Sequence, residues 1–283
     1  MAEACKTCGD SSECTGEDCP EVLKEMQRIK NVIAVMSGKG GVGKSTVTGL
    51  MAAVLRERGY SVGIMDADVT GPSIPRIFGL NNVRLKNGTR GIIPARTPSG
   101  IEVISVNLLL PNEEEPVIWR GPVISGVIKQ FWTEVEWGEL DFLLVDLPPG
   151  TGDAPLTVMQ SLPLTGVIIV TSPQNLVSMI VRKAVNMVYK MNLPVIGLVE
   201  NMVYLECPDC KKQIKLFGSE CNTEEMAGKS GTIVLGQLPL DPKFVDSCDK
   251  GRIEEYLKDE SRIKKVILDI IRHFPVDKEQ EKN

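Results

Sequence analysis

The stretch GKGGVGKS, residues 38–45, fits the spacing G-x-x-x-x-G-K-[ST] and constrains the fold more than any other part of the chain. Such a loop works only between a buried strand and the start of a helix. Its glycines let the backbone bend until N–H groups converge on phosphate oxygens, and the helix end adds a favourable dipole. Both neighbours are legible. Upstream, NVIAVMS is a continuous apolar run, the pattern of a strand buried on both faces. Downstream, KSTVTGLMAAVLRERG has a helical pattern that stops at Gly59. The backbone through Gly38, Lys39, Gly40, Gly41, Val42, Gly43, Lys44, Ser45 and Thr46 is therefore the candidate cradle for a nucleotide such as ATP. Lys44 is expected to reach the β- and γ-phosphates, and the Ser45 hydroxyl to hold Mg²⁺. The plain alternative is a glycine-rich turn with no ligand.

Similar apolar runs recur as SVGIMDAD, IEVISVN, DFLLVDLPPG, GVIIVTS, PVIGLVENM and GTIVLGQLP, with helical stretches such as NLVSMIVRKAVNMVYKM between most of them. Strands alternating with helices predict an α/β fold, a mainly parallel, doubly wound sheet with helices on both faces. In such a sheet ligands bind at the carboxyl ends of the strands. Asp66 and Asp68 follow VGIM, and Asp146 follows FLLV, so these carboxylates are expected to converge on the phosphates. Asp146, in DLPPGTGD, resembles a Walker B acid, which holds Mg²⁺ through water; Asp66 and Asp68 are candidates for the switch I acids, one of them positioning the attacking water. Lysine, Mg²⁺ and an oriented water suffice for phosphoryl transfer, which depends mainly on positioning and charge neutralisation. A strand-terminal Asp is also a common turn former or helix cap.

Composition excludes some classes. The net charge of −5 comes without a strongly basic stripe, which argues against nucleic-acid binding. No apolar run approaches the length of a membrane span. The start, MAEACKTCGDSSEC, is polar and acidic, unlike a signal peptide, and a cytoplasmic location is expected. There, clustered thiols more often bind metal or do redox chemistry than form disulfides. The organisation expected is a cysteine-rich arm with a short helix, PEVLKEMQRIK, over 1–30, and a nucleotide-binding domain over 31–275. That domain ends in a helix over about 254–274, and a charged tail occupies 276–283.

The chain has eight cysteines. Cys207 and Cys210 form CPDC, in a segment (about 203–217) that reads as a hairpin or knuckle after a strand. Iron, zinc and a redox pair all suit that spacing. Cys5, Cys8, Cys14 and Cys19 form C-x2-C-x5-C-x4-C, dense enough for a second metal site, with zinc or a free arm as alternatives. Cys221 and Cys248 are isolated and read as packing residues, Cys221 remaining a weak ligand candidate. His273, the sole histidine, sits near the end of the last helix, where it offsets the dipole.

Lys39, directly after the first glycine, resembles the signature lysine of the deviant Walker A ATPases, the group of MinD, ParA and the nitrogenase iron protein. That resemblance implies that Lys39 reaches across a homodimer to the partner's nucleotide. DADVTGPSIPRIFG, WRGPV, WGELDFLLVDLPPGTGD, TSPQ, GLVENM and PLDP together resemble the Mrp/ApbC-type iron–sulfur nucleotide-binding proteins, from about Val32 to Phe274. The resemblance implies that Asn201 and Asp241 lie near the adenine. It also implies that Cys207 and Cys210 of two subunits hold one bridging [4Fe–4S] cluster, since one chain supplies two of the four thiolates commonly needed. Eukaryotic-type members carry C-x13-C-x2-C-x5-C at the N-terminus; Cys5, Cys8 and Cys14 fit the last three positions, and Cys19 is the candidate substitute for the first. The implied function is a slow ATPase that carries a cluster to apo iron–sulfur proteins. The competing readings are an ATP-driven electron donor and a positioning ATPase. The latter is suggested by the apolar stripe Ile263, Val266, Ile267, Ile270, Ile271 and Phe274, which suits a membrane surface or, more commonly, a packed terminal helix.

Overall fold

The computed structural model describes residues 29–69, 71–89, 91–110, 121–174, 177–217, 223–259 and 261–275. Twelve strands and nine α-helices occur among them. The strands are β1 (Ile29–Ser37), β2 (Val62–Asp66), β3 (Lys86–Asn87), β4 (Ile92–Ile93), β5 (Ala95–Arg96), β6 (Glu102–Ser105), β7 (Leu140–Asp146), β8 (Gly166–Thr171), β9 (Val195–Glu200), β10 (Leu205–Glu206), β11 (Gln213–Ile214) and β12 (Val234–Gln237). The helices are α1 (Lys44–Glu57), α2 (Ile74–Ile77), α3 (Gly121–Thr133), α4 (Asp153–Ser161), α5 (Val177–Lys190), α6 (Thr223–Lys229), α7 (Pro242–Asp249), α8 (Ile253–Tyr256) and α9 (Arg262–Ile271).

One eight-stranded sheet runs β12-β9-β8-β1-β7-β2-β6-β5. All its pairings are parallel except the short edge strand β5 on β6. The seven apolar runs supply the seven parallel strands. Side chains alternate across the sheet, so each strand feeds two cores. Ile33, Val35, Phe142 and Leu144 pack with Val47, Leu50 and Met51 of α1 and with Ile263, Ile267 and Ile270 of α9. Val32, Ala34, Met36, Leu143 and Val145 face Ile128 of α3, Val158 of α4, and Val181 and Val185 of α5. Helices therefore cover both faces, as expected.

Two boundaries differ from expectation. Ile29 and Lys30 belong to β1, because Ile29 pairs with Leu140 on the neighbouring strand, so the strand begins inside the segment expected to be helical. The last helix is broken into α8 and α9. The first run stops at Tyr256, with Leu257 as its C-cap, and Ser261 starts α9 as its N-cap by accepting the Lys264 N–H at 3.1 Å. The apolar stripe of α9 packs into the core rather than facing outward: Ile263, Ile267, Ile270, Ile271 and Phe274 are buried and Val266 packs against them. No described helix is long and apolar enough to cross a membrane. The arm cysteines Cys5, Cys8, Cys14 and Cys19, the bulk of the short helix, Cys221 and the tail lie outside the described residues.

Candidate functional site

β1 delivers the chain to the glycine loop, and α1 starts at Lys44. Gly43 precedes that helix in the left-handed region, φ 78°, and no side chain caps the helix. The first-turn N–H groups therefore remain available to an anion. A Cβ on Gly43 would stand 2.3 Å from Asn201 Nδ2, so both its φ and its surroundings require glycine. Gly40, Gly41, Val42, Gly43, Lys44, Ser45 and Thr46 line a cavity of 180 Å³ together with Asp68. A larger cavity, 680 Å³, lies by Arg56, Phe78 and Leu257 at the far end of α1, away from the glycine loop.

The strand register brings the acids together. Asp66 and Asp146 are paired positions at the ends of β2 and β7, and both side chains are fully buried. Buried Lys44 places Nζ 2.8 Å from Asp146 Oδ2 and 3.9 Å from Asp68 Oδ2. Ser45 Oγ donates to the same Asp146 Oδ2 at 2.5 Å. Thr48 Oγ1 lies 2.9 Å from Asp146 Oδ1. Asp66 accepts from the Ile74 N–H at 3.3 Å, the Asp68 N–H at 3.3 Å and Ser105 Oγ at 3.2 Å. Burial, reinforced by the Asp146 charge, pushes the Asp66 carboxyl up to about 8, against the opposing pull of Lys44. Lys44 pairs with Asp146 and Asp68, while burial disposes Asp66 to keep its proton near neutral pH. Ser45 and Asp146 offer hard oxygen donors beside the cavity, a set that fits Mg²⁺ completed by water and phosphate oxygens.

The other candidates divide. Lys39, half-buried, donates to Gln174 Oε1 in the loop after β8. Asn201 donates from Nδ2 to the Val42 carbonyl at 3.0 Å and holds its own loop by accepting the Met202 N–H at 3.0 Å. Asp241 does not line the phosphate cavity. It caps α7 by accepting the Lys243 N–H at 2.9 Å and takes a hydrogen bond from Tyr256 Oη at 2.7 Å. Thr48 and Ser105 have no motif of their own and are found only once the sheet is assembled; Gln174 lies in the TSPQ stretch, but its bond to Lys39 is not legible from that stretch.

Six residues after Asn201, the hairpin β10–β11 carries the CPDC turn. The Cys207 N–H donates to the Lys212 carbonyl at 3.0 Å, and the Lys211 N–H donates back to the Cys207 carbonyl at 3.0 Å. Lys211 closes the turn at φ 60°, a left-handed conformation that favours glycine. Cys207 is half-buried and Cys210 exposed, and both are free thiols. The backbone N–H groups of Cys210 and Asp209 hold the Cys207 thiol below its ordinary range, which favours the thiolate a metal needs. Cys248 lies buried in the core instead, where burial pushes its thiol up to about 12, in keeping with a packing role.

A family model described as ParA, NUBPL iron-transfer P-loop NTPase, matches residues 28–274. The chain belongs to this family. Among relatives of the NUBPL-type chain, the iron-sulfur cluster carrier protein of Clostridium perfringens is 45% identical over 262 residues, covering 90% of this chain and 92% of the relative. A protein of the same description from Methanocaldococcus jannaschii is 46% identical over 246 residues, covering 87% and 84%. Among solved structures, the nucleotide-binding protein of Archaeoglobus fulgidus in complex with ADP superposes with a TM-score of 0.75 at 45% identity, covering 84% of this chain and 94% of that one. MinD of Aquifex aeolicus, at 21% identity and a TM-score of 0.61, covers 86% and 95% and shares the fold.

Proposed function

We propose that the chain is an ATP-hydrolysing carrier that binds a [4Fe–4S] cluster between two copies of itself and passes it to apo iron–sulfur proteins. One observation carries this reading. The segment that carries the dithiol knuckle is tied to the phosphate cradle, where Lys44, Ser45 and Asp146 are in contact: Asn201, six residues before Cys207, donates to the Val42 carbonyl. The description of the relatives as cluster carriers and the ADP of the Archaeoglobus structure support it.

In this reading the loop N–H groups from Gly38 to Thr46 bind the phosphates, and Lys44 moves from Asp146 to the γ-phosphate. Mg²⁺, when bound, neutralises charge on the phosphate oxygens. Ser45 and Asp146 hold it, the latter through water, while Asp66 and Asp68 order the attacking water. Lys39 leaves Gln174 for the partner's nucleotide in the homodimer. Asn201 and the PLDP stretch, Asp241 included, border the base, with the Asp241 carboxylate held by the Lys243 N–H and Tyr256 Oη. Cys207 and Cys210 of each copy supply the cluster's four thiolates. Cys5, Cys8, Cys14 and Cys19 form a second metal site on the arm. Free thiols suit a reducing, cytoplasmic compartment. The positioning-ATPase reading loses its argument, since the apolar face of α9 is already buried.

The test is iron and acid-labile sulfide per chain after anaerobic reconstitution, for wild type and Cys207→Ala/Cys210→Ala, with molar mass alongside. A loss of about two irons per chain in a dimer is expected, half of a shared four-iron cluster. Iron that remains in the variant locates the second site on the arm. Zinc without sulfide would overturn the carrier reading. Retention of the cluster through redox cycles against a chelator would favour the electron donor.

A further inference from the structure

Thr48 lies one turn into α1, with its side chain fully buried. Its hydroxyl has a single hydrogen and two acceptors within reach: the Lys44 carbonyl at 3.1 Å and Asp146 Oδ1 at 2.9 Å. A buried helical threonine ordinarily bonds back to the carbonyl four residues earlier, and that alone would make it structural. The carboxylate makes the difference. An ionised acceptor draws the hydrogen more strongly than an amide carbonyl does.

The two oxygens of Asp146 are also unequal. Oδ2 accepts from Lys44 and Ser45, the two side chains that a nucleotide with Mg²⁺ would recruit. Oδ1 faces Thr48, which has no such second use. When Lys44 turns to phosphate and Ser45 to the metal, the bond from Thr48 is the one that still sets the rotation of the carboxylate.

We propose that Thr48 is a positioning residue for the nucleotide-bound metal: its hydroxyl holds Asp146 by Oδ1 so that Oδ2 stays directed toward the Mg²⁺ position. The proposal rests on the reading of the glycine loop as a Mg²⁺–nucleotide site. Groups that orient a ligand from behind commonly change metal affinity by about tenfold to a hundredfold when removed.

The experiment is calorimetric titration of ADP with and without Mg²⁺, for wild type, Thr48→Val and Thr48→Ser, with the melting temperature of each. Valine keeps the shape and removes the hydroxyl; serine keeps the hydroxyl and removes a methyl. Expected is a Mg²⁺ requirement raised about tenfold in Thr48→Val, ADP affinity in chelator unchanged, and Thr48→Ser within about twofold of wild type. If valine fails to fold, Thr48→Ala against Thr48→Ser carries the same comparison. A valine variant with wild-type Mg²⁺ dependence would overturn the proposal while leaving the nucleotide site standing. Equal losses in valine and serine would overturn it too, since volume and not the hydroxyl would then matter. A wild type whose ADP affinity ignores Mg²⁺ would overturn the reading of the site and the proposal with it.

Discussion

The phosphate cradle and the cysteine knuckle solve opposite problems. In the cradle, Lys44, Asp66 and Asp146 are buried between two cores, and each carboxylate is held by donors from a different element. In the knuckle, two backbone hydrogen bonds and a hairpin of two-residue strands hold the turn that carries the thiols, and Ile214 and Leu216 stay exposed. Rigid burial suits a site that must meet developing charge with fixed groups. An open hairpin suits a site whose cargo has to arrive and leave. The difference teaches that the two chemistries are separable by mutation, although one short segment joins them.

The largest separation is expected from Lys44→Ala. Phosphate release should fall by at least about a hundredfold, because a fixed charge on the transferred group is lost. Iron per chain should not change. Loss of iron in the same variant would break the comparison. The reciprocal change, Cys207→Ala with Cys210→Ala, should remove about two irons per chain. It should leave ADP affinity within about twofold and fold stability within about 0.5 kcal/mol, as surface changes usually do.

The buried acids add a pH dependence that the knuckle substitutions do not share. The Asp66 carboxyl is raised from 3.8 to about 8 in the fold. Its contribution is fully present below the unfolded value and is lost as pH rises through the folded one, so the nucleotide-free protein should weaken between about pH 4 and pH 8. Asp66→Asn cannot ionise. In thermal unfolding it should be more stable than wild type at pH 8.5, on the order of a few kcal/mol, with the advantage shrinking toward pH 4. An advantage that does not vary with pH would show that Asp66 ionises normally.

The smallest effects come from one backbone conformation used in both regions. Gly43 and Lys211 both have positive φ. Gly43→Ala should destabilise by about 1–3 kcal/mol, since a Cβ collides with Asn201 as well as straining the backbone. Lys211→Gly should stabilise the hairpin by up to about 1 kcal/mol, read as slower amide exchange over residues 205–214. Equal signs for the two would mean that the knuckle turn is not strained.

Both regions announced themselves in the sequence through fixed spacings, and the seven parallel strands did so through runs apolar on both faces. What stayed hidden lacked a period or a motif. β5 is a two-residue edge strand running the other way, too short to alternate. The break at Ser261 was masked because the helical apolar spacing of α9 is complete in itself and the charged residues before it read as more of the same helix. Thr48 looks like any helical threonine until β7 brings Asp146 beside it, and Gln174 has no partner until β8 and β1 align. Asp241 did carry a readable signal: an acid before proline at the start of a helix is a cap pattern. Its expected place near the adenine came from resemblance, and the cap and the Tyr256 bond account for its carboxylate.

The last helix lies against the first. Lys264 reaches Glu57 across 207 residues of chain at 2.7 Å, and Ile263, Ile267 and Ile270 share a core with Leu50 and Met51. During synthesis the helix that follows the glycine loop waits for another 207 residues before its outer face is sheltered. Contacts of such long range close slowly. A ribosome stalled short of α9 would leave a fragment that has every phosphate-binding residue and a bare apolar flank, the kind of surface that chaperones and proteases recognise.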